Sequence, residues 1–132
     1  MKTSNHLTKI EHLENSALKL NFRDDYEALV EIYMLISAHC INAALHTLKA
    51  VKENKDIKHN QIFSFLKEGN KLGENTESIR DAMKRLDDLR PSHVYGKGEN
   101  GETAKNAQEC YNIIKEVCSK IIGKNEVNED EG

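Results

Sequence analysis

Tryptophan is absent from the 132 residues, proline occurs once, at Pro91, and none of the seven glycines precedes Gly69. A β-rich domain needs a turn about every 8 to 12 residues, usually built on Gly, Pro or Asn, and residues 1–68 offer only scattered Asn. A sandwich or barrel is therefore excluded and long helices remain. With three Phe, four Tyr and no Trp, the interior must be filled mainly by Leu, Ile, Val, Met and Ala. Such side chains suit interdigitating helices.

Cysteine is also sparse: Cys40, Cys110 and Cys118 are an odd number without metal-type CxxC spacing. Cys110 and Cys118 fall on one expected helix, about 12 Å apart along its axis, too far for a disulfide. Buried free thiols in a reducing compartment are expected. The most apolar stretch, Ile32 to Leu45, is free of Asp, Glu, Lys and Arg but shorter than the roughly 20 residues that cross a bilayer. It also carries His39 and Asn42. No N-terminal segment has the layout of a signal peptide, so the expectation is a soluble, cytoplasmic protein with no membrane partner.

Charged residues make up 31% of the chain and apolar residues 38%, which suits helices with one buried and one solvated face. The net charge of −3 is carried entirely by the last ten residues, where Lys124 stands against Glu126, Glu129, Asp130 and Glu131. Residues 1–122 are formally neutral. A neutral body argues against nonspecific nucleic-acid binding, which needs a clustered excess of Lys and Arg, and leaves room only for a local basic patch. With Val127 as its single apolar side chain, the 123–132 tail buries too little to order itself. The chain divides into one helical domain, 1–122, and an acidic disordered tail, 123–132.

Apolar periodicity predicts the helices. Leu7, Ile10, Leu13, Ala17 and Leu18 give a first helix from Ser4, its N-cap, to Leu20. A second starts at Asp24 or Asp25 and runs to Val51 or Lys52, apolar on nearly every side, as a central helix must be. Ile62, Phe63, Phe65 and Leu66 mark a third that stops within Gly69 to Gly73. A fourth begins near Asn75, carries Ile79, Ala82, Met83, Leu86 and Leu89, and ends at Pro91 because the residue before proline is pushed out of the helical region. The charges on its other face, of both signs, read as an ordinary solvated surface. The last helix, Glu102 to Ile122, carries Ala104, Ala107, Tyr111, Ile114, Cys118 and Ile121 at alternating spacings of 3 and 4. That seam suits shallow-angle packing within the chain or across a dimer. The fold class is all-α, a four- to five-helix up-and-down bundle.

Six histidines raise the question of a metal. His39 and His46 share a face of the central helix about 10 Å apart along its axis, too far to bind one ion without a third element between them. Packed histidines are the expected outcome, with no metal and no cofactor; a site around His39, His46 and Cys40 is the alternative. Gly96-Lys97-Gly98-Glu99-Asn100-Gly101-Glu102-Thr103 opens like a phosphate loop but puts Glu102 where the lysine belongs. It reads as a loop with Asn100 capping the last helix, in which Lys97 and the backbone of Gly98 offer an anion weak contacts. Arg90-Pro91-Ser92-His93-Val94-Tyr95-Gly96 gathers a guanidinium, an imidazole and a phenol in the one loop that holds both Pro and Gly. There His93 could exchange a proton with a ribose hydroxyl or a leaving oxygen while Arg90 stabilises phosphate charge. Alternatively Arg90 caps the preceding carbonyls and Tyr95 docks on the bundle.

Over about Asp24 to Ile122 the chain resembles the HEPN superfamily, helical bundles named for nucleotide binding in higher eukaryotes and prokaryotes. The resemblance lies in Ala38-His39-Cys40-Ile41-Asn42-Ala43-Ala44-Leu45-His46, in Lys58-His59-Asn60 opening the Phe63 and Phe65 helix, and in the polar loop before the last helix. Members that cut RNA carry Arg, four to six residues, then His, with a Tyr two positions on in one branch. His93 and Tyr95 match that pair, whereas Arg90 leaves two intervening residues and Arg85 seven. The resemblance implies RNA or nucleotide binding, metal-independent endoribonuclease chemistry by Arg90, His93 and Tyr95, a homodimer, and in toxin–antitoxin modules a small nucleotidyltransferase partner. The alternative from another class is a non-catalytic module that holds a partner protein.

Overall fold

The fold is organised around one helix that is wrapped on almost every side. The computed structural model describes residues 1–90 and 100–131, with side chains over 1–90 and 101–123. Its helices are α1 (Thr3–Leu18), α2 (Tyr26–Thr47), α3 (Ile62–Leu66), α4 (Thr76–Asp88) and α5 (Asn100–Glu131), with 3-10 turns at His59–Gln61 and Gly73–Asn75. No strand occurs among the described residues. The all-α reading is correct.

From Leu29 to His46, α2 buries residues in every turn. By length and composition α2 is apolar enough to cross a membrane, yet 72% of its most apolar window is buried inside the bundle. Its apolarity is used on the other helices.

Contacts set the direction of each neighbour. His6, near the start of α1, lies against His39 and His46, near the end of α2, so these two helices are antiparallel. Arg90, just after α4, meets Glu31 near the start of α2, so α4 is antiparallel too. Tyr33 stacks on Tyr111 with ring centroids 5.6 Å apart, and Cys40 lies close enough to act on Cys118. Both partners advance by seven, so α2 and α5 run parallel. Ala104, Ala107, Tyr111, Ile114 and Cys118 are buried along this contact, which places the seam of the last helix inside the chain. All three cysteines are buried free thiols, as expected.

Helix ends depart from the periodicity in ways that local geometry explains. Ser4 lies inside α1, whose N-cap is Lys2, and its expected capping role is not realised. Asp25 is the N-cap position of α2, and Asn21 Oδ1 accepts the N–H groups of Arg23 and Asp24 in the link before it. α2 stops at Thr47, short of the expected Val51, because Lys49 takes a left-handed φ of 60°. The Lys49 N–H bonds to the His46 carbonyl and the Ala50 N–H to the Leu45 carbonyl, the Schellman arrangement that closes a helix. Gly69 (φ 72°) and Gly73 (φ 78°) occupy the same region between α3 and α4, where side chains are disfavoured. α5 continues to Glu131, beyond the Ile122 at which the apolar seam ends. Its backbone is helical over the segment whose composition suggests disorder, where Lys, Asn and Glu tolerate a helix and no proline interrupts it.

Candidate functional site

The bundle puts functional side chains at the two ends of α2. At its N-terminal end, Arg90 follows α4 directly. Its Nε donates to Glu31 Oε1 at 2.9 Å, and its Nη1 lies 3.6 Å from Asp87 Oδ1. The Glu31 hydrogen bond, with the Asp87 charge behind it, raises the guanidinium above its ordinary range against a modest burial cost. Arg90 is thus held immediately before segment 91–99, tied to carboxylates instead of capping helix carbonyls. His93, Tyr95, Lys97 and Gly98 lie outside the described residues, as does the Asn100 side chain.

At the opposite end, four titratable side chains from three segments converge. His46 Nε2 lies 2.8 Å from Asp56 Oδ1, and His6 Nε2 lies 3.0 Å from the same oxygen. His6 Nδ1 is 2.8 Å from His39 Nδ1. The Met1 ammonium stands 3.2 Å from both Asp56 oxygens. His6 is 1% exposed and His46 6%. Burial would raise the Asp56 carboxyl, but hydrogen bonds from His46, His6 and Met1 outweigh it and hold the group at about 2. Burial pulls His6 and His39 the other way, below the usual imidazole range, against the opposing pull of Asp56. Both rings are neutral near pH 7, and a single shared proton satisfies their Nδ1 pair.

A folded-back loop presents Asp56. After the turn at Lys49 the chain returns along the last turns of α2, where Asn42 grips it: Nδ2 donates to the Ile57 carbonyl at 2.9 Å and Oδ1 accepts the Ile57 N–H at 2.8 Å. Asn42 Nδ2 also donates to Ala38 O. The amide works as a short piece of borrowed backbone, and the neighbouring Asp56 carboxylate is set against the histidines. A pocket of about 170 Å³ opens beside them, with His6, His39, Asn42 and Asp56 in its wall.

The HEPN domain model matches residues 12–125 of the chain. This chain belongs to the HEPN family. No curated protein and no solved structure matches it. The HEPN match takes in α2, α4, residues 91–99 and the seam of α5, and leaves His6 and the first turns of α1 outside. The histidine cluster of this HEPN domain therefore includes a residue beyond the matched segment.

His39 and His46 are packed and hydrogen-bonded, as expected from the sequence, and the alternative grouping with Cys40 does not form. Cys40 does not take part; it sits in the core between the helices, and its thiol is raised to about 12, chiefly by burial. The bridging elements are His6 and Asp56. His6 was legible in principle, because it extends the Ile10, Leu13 and Ala17 stripe of α1 by one step of four. Asp56 was not, since it stands in a polar run whose path depends on Asn42.

Proposed function

We propose that this HEPN domain binds RNA phosphates at the α4–α5 loop and cleaves the strand without a metal. In this reading Arg90 contacts the phosphate, His93 acts as general acid or base, Tyr95 orients one of them, and Lys97 with the Gly98 N–H adds anion contacts. The observation that carries it is the position of Arg90, held by Glu31 and Asp87 at the entrance of the loop that contains His93 and Tyr95. A guanidinium held between two carboxylates keeps its charge at every physiological pH and exchanges partners when a phosphate arrives.

Two copies brought together at this loop would pair their motifs, and we propose a cytoplasmic homodimer on that ground. A toxin–antitoxin setting with a small nucleotidyltransferase as second partner follows from the family resemblance and is tested by co-purification. The decisive assay is cleavage of RNA by the purified chain with and without chelator, beside Arg90→Ala and His93→Ala. Cleavage that survives the chelator and is lost in both variants supports the proposal. No cleavage, or equal cleavage by His93→Ala, overturns it. A stoichiometric protein partner recovered without nucleic acid would favour the interaction module instead.

A further inference from the structure

The histidine cluster turns two buried imidazole nitrogens, His6 Nε2 and His46 Nε2, on one carboxylate oxygen of Asp56. His46 Nδ1 lies 3.0 Å from the Val51 carbonyl oxygen. A carbonyl only accepts, so the His46 proton sits on Nδ1. His46 Nε2 is left to face Asp56 Oδ1 at 2.8 Å. His6 Nε2 faces the same Asp56 oxygen at 3.0 Å, while its Nδ1 is paired with His39 Nδ1 at 2.8 Å.

We propose that His6 Nε2, His46 Nε2 and Asp56 Oδ1 form a binding site for a divalent transition-metal ion, with Zn2+ as the first choice. The three atoms lie within 4.8 Å of one another. A tetrahedral ion with bonds of about 2.0–2.2 Å spaces its ligand atoms by roughly 3.3 Å. The two histidine–carboxylate contacts, at 2.8 and 3.0 Å, need to widen by only a few tenths of an ångström. Two imidazoles and one carboxylate are a ligand set suited to zinc. Outer contacts are already in place, since each ligating ring has its other nitrogen engaged, His46 by Val51 O and His6 by His39. Such contacts fix the tautomer and the ring orientation of metal-bound histidines.

The ligands come from α1, from the last turn of α2 and from the returning loop, so the ion would clip three segments together. The pocket whose wall includes His6, His39, Asn42 and Asp56 adjoins this cluster. From Glu31 to His46 along α2 is about 22 Å at 1.5 Å per residue. The site is therefore separate from the Arg90 loop, and the proposal does not rest on the RNA reading.

The test uses the full chain without an affinity tag, stripped with chelator and titrated with Zn2+ by calorimetry. Thermal unfolding with and without Zn2+ and the visible absorption of Co2+ are measured in parallel. One ion per chain, a rise in Tm and a tetrahedral Co2+ spectrum are expected. Asp56→Asn and His46→Gln should each weaken Zn2+ binding by about 100-fold or more, while His59→Gln, which changes another histidine lining the same pocket, should leave it unchanged. Because Asp56 is partly exposed, Asp56→Asn keeps its fold and remains informative if the His46 variant unfolds. No heat and no Tm change in the wild type would overturn the proposal, as would Zn2+ affinity within about threefold of wild type in folded Asp56→Asn.

Discussion

Arg90 and Glu31, 59 positions apart in sequence, meet with Nε 2.9 Å from Oε1. The pair joins the end of α4 to the first turns of α2 and holds the only described side chain of the Arg90, His93 and Tyr95 set. Glu31 also competes with any phosphate for the guanidinium. Glu31→Gln should therefore raise affinity for single-stranded RNA several-fold in a fluorescence anisotropy titration, whereas Arg90→Ala should abolish binding. Both ends are partly exposed, so the change should cost under about 1 kcal/mol of stability. Unchanged affinity in both variants would remove Arg90 from the site.

Asn42 is 3% exposed, and its amide makes three hydrogen bonds, two of them to Ile57. Asn42→Ala leaves the Ile57 N–H and carbonyl without these partners and should destabilise the fold by about 2–3 kcal/mol in urea unfolding. Asn42→Asp should be worse, because a carboxylate oxygen would face the Ala38 and Ile57 carbonyls. A loss below about 0.5 kcal/mol for both would show that the returning loop is held by something else.

Lys49 occupies the left-handed position of the Schellman turn with φ 60°, where glycine is usually found. Its side chain is exposed, so Lys49→Gly should relieve backbone strain at little packing cost. The expected gain is about 0.5–1 kcal/mol, read as a higher denaturation midpoint with an unchanged urea slope.

Burial, then the ionisable Cys40 and Glu14 nearby, pushes the Tyr111 phenol well above its ordinary value of 10.0. Tyr33 is raised chiefly by burial, and Cys40 is raised from 9.0 to about 12. All three lose a proton on ionising, and all hold it more tightly when folded. The unfolded chain releases those protons first as pH rises, so stability is retained below about 9 and falls progressively through and above pH 10. Tyrosine absorbance should show two of the four phenols ionising only as the protein unfolds. Tyr111→Phe removes a buried phenol that holds its proton more tightly when folded, and so should make the alkaline loss shallower. A wild-type urea midpoint unchanged from pH 8 to 10.5 would contradict the burial of these groups.

Much of the fold was legible because helical burial follows a short period. Ile79, Ala82, Met83 and Leu86 on α4, and Ala104 to Cys118 on α5, are buried as their spacing requires. Helix ends were less legible. The stop at Thr47 depends on one residue adopting a positive φ, and no composition rule marks a lysine for that role. The Arg90 segment stood out because Pro91 isolates it from α4, but its pairing with Glu31 and Asp87 depends on how α2 and α4 cross. His39 and His46 were visible as a pair on one helix face; what joined them was not.

By itself the sequence determined an all-helical bundle with a central α2, free cysteines, a helix that ends before Pro91, and a family resemblance that the HEPN match bears out. These follow from local periodicity and backbone sterics, which act over a few residues and leave their mark in the order of side chains. Tertiary structure alone decided that the α5 seam packs inside the chain, that Arg90 is held by Glu31, and that His6 and Asp56 complete a cluster with His46. Those outcomes need segments as distant in sequence as Tyr33 and Tyr111 to meet. Such meetings are set by the packing of whole helices, and no short window of sequence contains them.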